Sequence, residues 1–375
     1  MGSKLDKIIF VTQNLAPFRI DWLDELAKYF KIEIFYYNEL DLKGKTNPKY
    51  MERKPCKAMY KRVQGKNPMI RVFRTFRHII EIYDFNSMII LDGYGFVEQV
   101  FLIFLLQNKK IKYVITVDGI LLNHHEKKII YYLKKKLLNK AEFIFSTSKS
   151  TDEIIQYYGV NKKNIIRHIF TPLFQKDLIT VKELENKKVW KEQLGYLDKF
   201  LVLSVGKIIE SKGFDLNLEL ARRNPHLYFI IIGGKPTENF VKYIEENKIN
   251  NVEFIDFCDK EKLSKFYVAS DIFFHPTRTD VWGLVINEAM AHGLPIITTK
   301  KCVAGVSLVA NGCSGFIVEV DDIDEMERKL NYFYKNPEEI NKFGIKNLKI
   351  ISENTIEKST LKDYENLLAW RSKNG

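Results

Sequence analysis

The chain has 375 residues, 46% hydrophobic and 28% charged. That length exceeds the roughly 250–300 residues at which a single core stops growing, so two domains are expected. The composition is that of a folded globular protein and excludes a disordered or low-complexity one. The net charge of +12 is unevenly placed. Residues 1–175 hold 30 of the 59 basic and 17 of the 47 acidic side chains, a net of +13, against −1 for the remainder. An anionic partner is therefore expected for the first half.

In chain order, both halves alternate strands and helices. Residues 7–12 (KIIFVT) read as a buried strand and 19–30 (RIDWLDELAKYF) as an amphipathic helix. Strands are expected at 32–37, 87–91, 112–117 and 142–147, with helices between most of them. The Lys/Arg/Asn/Pro-rich segment 38–70 reads as a long loop over the sheet edge, and the polar segment 175–195 as the interdomain linker. A second series opens with the strand 200–206. It continues with a helix over 214–223, a strand at 228–234, a helix over 237–248 and a strand at 252–257. A helix over 260–269 and the strand 271–276 follow. This is the pattern of two open parallel sheets, whose ligands lie beyond the carboxyl ends of the strands, in a cleft if the domains face each other.

Cys56, Cys258, Cys302 and Cys313 form no CxxC pair and have no His at metal spacing, so free thiols of a reducing compartment are expected. The longest apolar run, residues 100–106, is far short of the roughly 20 residues of a membrane span. No apolar leader opens the sequence. A cytoplasmic location is the expectation.

The polar residues with chemistry to offer fall at the strand ends. In SVGKIIESKGFD, Gly206 permits a tight turn after a strand, and Lys207 and Lys212 precede a helix. Two cations with helix N-terminal amides can hold a diphosphate, and an ordinary loop with two surface lysines fits the same letters. In PTRTDVWGLVINEAMAHGLPII, the chain turns through Asp280 and enters a helix near Gly283. The amides of Gly283 and Leu284 would then face a phosphate, and Glu288, one turn in, could accept from a ribose diol. Its apolar neighbours Val285, Ile286, Ala289 and Met290 make a solvated position less natural, so Glu288 calls for a partner.

Asp280 and Glu288 together resemble the E-x7-E motif of the retaining nucleotide-sugar glycosyltransferases of family 4, in particular their bacterial polysaccharide-assembly members. VGKIIESKGFD, YFIIIGG, VEFIDF and GLVINEAMAHGLPIITT follow in that family's order. The resemblance covers residues 200–320 well and the first half loosely, through NLAPFRIDWLDEL and VDGI. It implies a GT-B fold of two facing Rossmann-like domains: 1–180 on the acceptor side, 181–358 for the nucleotide sugar, and a helix over 359–375 returning to the first domain. It implies that Lys207 and Lys212 neutralise the donor diphosphate and that Glu288 binds the ribose. The Gly283 and Leu284 amides would meet the phosphate or sugar, Phe257 and Cys258 would lie along the base, and Asp280 would stand near the transferred sugar. No cofactor or metal is required on this reading, because the cations take that place.

Three positions depart from the family. Asp280 stands where Glu is usual, and Lys207 where Arg is common, losing its bidentate fork. Asp118 stands where many relatives have His; it reads equally as a sugar-hydroxyl acceptor or a strand-end cap. His124 and His125 read as surface residues.

The basic stretches 60–80 and 127–140 interleave Lys and Arg with large apolar residues. That suits a helix on an anionic membrane, or an apolar core stripe with a solvated basic face. The overall expectation is transfer from a nucleoside diphosphate sugar, UDP-linked in preference to GDP-linked, to a glycan acceptor that is plausibly lipid-linked. A nucleotide-sugar 2-epimerase, a weakened relative and a basic nucleic-acid-binding protein are the alternatives. The last leaves the near-neutral second half unexplained.

Overall fold

The computed structural model describes residues 5–38, 58–120 and 126–374. His124, His125 and Cys56 lie outside them. The chain divides into two compact units: one holds the residues up to Pro172 together with those from Ile356 on, and the other runs Leu173–Thr355.

Among its described residues the first unit has seven strands: β1 (Lys7–Asn14), β2 (Lys31–Asn38), β3 (Met59–Arg62), β4 (Ser87–Asp92), β5 (Tyr113–Val117), β6 (Ile144–Ser146) and β7 (Ile165–Arg167). All pair in parallel, in the order β3-β2-β1-β4-β5-β6-β7. Ile8, Ile9, Phe10 and Val11 of β1 are all fully buried, because helices cover both faces of the sheet. The helix Pro17–Leu26 opens with proline at a position that needs no donor, two residues before the expected start, and residues 27–30 wind into turns. It packs against one face together with the last helix, Ile356–Asn374. The two are tied by Asp363, fully buried, whose Oδ2 accepts from Trp22 Nε1 (2.9 Å) and His168 Nδ1 (2.8 Å). The other face carries the helices Pro68–Ile82, Val97–Asn108 and Lys128–Asn139.

The segment expected to be a loop from 38 to 70 is more ordered than that where it is described. β3 joins the edge of the sheet, Glu33 opposite Met59, and a helix capped by Asn67 begins at Pro68. β3 escapes a periodicity search because Met59, Lys61 and Arg62 are exposed, as befits a blunted edge strand. Residues 39–57 lie outside the described residues. β7, three half-buried residues at the opposite edge, was likewise not expected.

The second unit has six strands: β8 (Phe200–Val205), β9 (Leu227–Ile232), β10 (Val252–Ile255), β11 (Ile272–His275), β12 (Ile296–Thr299) and β13 (Gly315–Val318). They are parallel in the order β10-β9-β8-β11-β12-β13. The segment 175–195 is no linker. Thr180 and Glu183 form a reciprocal cap for the helix Val181–Glu185, and the helix Lys187–Gln193 follows. Leu184 is buried, and Lys191 Nζ reaches the buried Asp271 at 2.5 Å, so the polar letters hide a packed element.

Candidate functional site

In the second sheet the strand order reverses between β8 and β11, which leave on either side of a crevice at their carboxyl ends. After β8 come Gly206, the exposed Lys207, a turn over Glu210–Lys212, and Gly213 at φ 68° leading into the helix Phe214–Arg223. A Cβ on Gly213 would stand 2.2 Å from the Pro276 carbonyl oxygen, so glycine alone lets this loop lie against the one that follows β11. The two loops are laced together. Thr277 Oγ1 and the Arg278 amide both donate to the Ser211 carbonyl at 2.8 Å. The Arg278 guanidinium grips Asp215 at 2.6 Å and Asp321 at 2.9 Å.

That lacing brings together two of the expected residues, 68 positions apart: Lys212 Nζ lies 2.6 Å from Asp280 Oδ2. His275, the last residue of β11, reaches the same oxygen through Nε2 at 3.0 Å. The Asp280 amide donates to the Lys301 carbonyl at 2.9 Å, fixing its backbone. Burial alone would raise the Asp280 carboxyl, but hydrogen bonds from His275 and Lys212 outweigh it and hold its pKa below the ordinary value. Burial depresses the His275 pKa against the pull of Asp280, so the ring is neutral. Because a carboxylate only accepts, Nε2 carries the proton.

Gly283, at φ 99°, starts the helix Leu284–Ala291, and a Cβ there would meet Cys302 Sγ at 2.8 Å. The first amides of this helix have no acceptor within it, which suits an anion. Glu288 is its fifth residue. The partner it called for is Tyr267, whose hydroxyl donates to Oε2 at 3.0 Å. The Tyr267 ring stacks on His292 at 4.9 Å, and His292 Nδ1 donates to the Glu288 carbonyl at 2.7 Å. Burial raises the Glu288 pKa, and the Tyr267 hydrogen bond opposes the rise. Phe257, 51% exposed, and the half-buried Cys258 follow β10.

In the first unit, Asp118 follows β5. Both its oxygens lie 2.7 Å from Nη2 of Arg19, a fully buried guanidinium that also binds Asp92 at 2.8 Å. Burial works against the Arg19 charge, yet Asp118 and Asp92 outweigh it and raise its pKa. Asp92 also accepts from Thr12 (2.7 Å) and Thr116 (3.0 Å), at the reversal between β1 and β4. Asp118 is thus held in an ion pair while its side chain stays 32% exposed.

Sequence reasoning missed His275, Tyr267, Arg19 and Asp92. A polar residue closing an apolar strand was available as a signal at His275 and Asp92. Tyr267 and Arg19 lie on helices and showed none. Among the described residues, no group of three or more His, Cys, Asp and Glu side chains is placed to hold a metal ion. No described helix is long and apolar enough to cross a membrane.

Two parallel α/β sheets of this order, with these strand-end loops, define the GT-B class. The solved structure of Anabaena HepE in complex with UDP superposes with a TM-score of 0.78 at 17% identity, over 97% of this chain and 100% of that one. Residues 186–349, which lie within the second unit, match the family described as "Glycosyl transferases group 1". An uncharacterized glycosyltransferase of Haemophilus influenzae is 36% identical over 155 residues, 40% of this chain and 43% of that protein. The capsular polysaccharide biosynthesis glycosyltransferase CapM of Staphylococcus aureus is 30% identical over 156 residues, 40% of each chain. The chain thus spans less than half the length of these curated relatives.

Proposed function

We propose that this chain is a retaining glycosyltransferase. It moves a sugar from a nucleoside diphosphate sugar to a hydroxyl of a glycan acceptor in cell-surface polysaccharide assembly. The observation that carries the reading is the Lys212–Asp280 contact at the β8/β11 reversal, beside the amide-bearing start of the helix Leu284–Ala291. Lys212, Lys207 and the amides of Gly283 and Leu284 stabilise the charge that develops on the diphosphate as its bond to the anomeric carbon breaks. The acceptor oxygen bonds to that carbon from the same face, and its proton passes to the departing phosphate oxygen. Glu288, oriented by Tyr267, accepts from the ribose diol. Phe257 and Cys258 lie along the base, Asp280 Oδ1 faces the transferred sugar, and Asp118 accepts from an acceptor hydroxyl. These cations do the work of a divalent ion, so no metal is needed. A UDP-linked donor is favoured over a GDP-linked one, in keeping with the UDP bound by HepE.

The test is the stereochemistry of the product. Proton NMR of a transfer reaction from a UDP-α-sugar, run with EDTA, is expected to show an α-linked product and an undiminished rate. A β-linked product, or a rate abolished by EDTA and restored by Mg²⁺, would contradict the mechanism.

The acceptor is proposed to be lipid-linked, reached from the surface of an anionic membrane. The helix Lys128–Asn139 supports this: Ile129 is 77% and Tyr132 64% exposed among exposed Lys128, Lys135 and Lys136, and the helix holds no acidic residue. On the same side of the sheet, Ile70, Phe73 and Ile80 are exposed beside Arg74 and Arg77. Large exposed apolar groups ringed by cations fit a headgroup boundary. The chain is expected to sediment with phosphatidylglycerol vesicles and not with phosphatidylcholine ones, and Ile129→Glu with Tyr132→Glu should abolish it. Equal, negligible binding to both would remove the membrane reading.

A further inference from the structure

His275 is fully buried at the end of β11, opposite Thr298 of β12. Its ring lies 6.1 Å from that of Phe273, roughly parallel, and its Nδ1 is buried without a hydrogen-bond partner among the described residues. Among the described residues, the one hydrogen bond the side chain makes is from Nε2 to Asp280 Oδ2, and that oxygen is the one that holds Lys212. A lysine ammonium at the end of four rotatable bonds has no preferred place of its own. Asp280 supplies one only if its carboxylate is itself fixed. Its backbone is tied to Lys301, and its side chain is tied from below by the imidazole.

We infer that His275 is a positioning residue for Lys212: through Asp280 it holds the ammonium in place at the β8/β11 reversal. The inference rests on the proposed role of Lys212 at the donor diphosphate. An imidazole suits the task because it stays neutral when buried and so donates one hydrogen bond without competing as a second cation. The unpartnered Nδ1 is the cost of placing a donor there.

The contact can be read without turnover. Lysines of the full chain are acetylated with trace acetic anhydride, and the rate at Lys212 is followed by peptide mass spectrometry. In wild type the ion pair keeps Lys212 slow. His275→Leu and His275→Met, two apolar replacements of different shape, are expected to speed its acetylation at least threefold, with distant lysines unchanged. His275→Gln, which keeps a neutral donor, is expected to return it to near the wild-type rate. Wild-type rates at Lys212 in both apolar variants, or equal acceleration in the Gln variant, would overturn the inference. The same experiment with UDP or GDP separates the two claims. Failure of both to protect Lys212, with the apolar variants still fast, would refute the donor reading and leave the positioning contact standing.

Discussion

Lys212→Ala is expected to lower turnover of the sugar donor by about 10²–10³-fold, the usual cost of removing one preorganised group from a developing anion. Donor affinity should fall far less. The ground-state diphosphate is already charged and keeps Lys207 and the amides at the start of the helix Leu284–Ala291. The charge that grows as the sugar departs is what the fixed ammonium meets. Lys212 is poised for this because Asp280 holds it at 2.6 Å in a pocket where both side chains are less than a fifth exposed. Steady-state kinetics check it: kcat should collapse with KM changed only a few-fold. An unchanged kcat would remove Lys212 from the chemistry.

Asp363→Ala is expected to destabilise the first unit by about 2–6 kcal/mol, roughly 1–3 kcal/mol for each buried donor it leaves unsatisfied. It strands two donors, Trp22 Nε1 and His168 Nδ1, in an environment where neither can reach water. Asp363→Asn keeps an acceptor and should lose less. Urea unfolding followed by hydrogen exchange of first-unit amides would show the difference as a shift in midpoint. A midpoint equal to wild type would mean that the last helix is held by its apolar contacts alone, among them Leu367.

The elements most legible in the sequence are those whose packing leaves a period or an unbroken apolar run. The helices Phe214–Arg223 and Lys260–Ala269 have the expected bounds because their buried stripes end in clear breaks. β8 and β9 are apolar but for Ser204 and the Tyr228 hydroxyl, because both faces are covered. β3 and the segment from 175 to 195 were not legible. The first is an exposed edge, and the second packs through a buried lysine and its aspartate, Lys191 and Asp271, which read as surface letters. The site follows the same logic. Lys212 and Asp280 stand out as charges in strand-end loops, but nothing local says that Gly213 lets those loops touch, or that His275 reaches back to the carboxylate. Those facts depend on which strands are neighbours, and that is set by pairing across the sheet.

Calorimetric titration of wild type and Glu288→Ala with UDP, GDP and ADP tests the central claim most directly. One nucleoside diphosphate, UDP by preference, should bind wild type. Its affinity should fall in the variant by about 1–3 kcal/mol, roughly 5- to 150-fold, through loss of charged hydrogen bonds to the ribose. Absence of binding by any of the three, or identical affinity in the variant, would contradict a nucleotide-sugar site at Glu288.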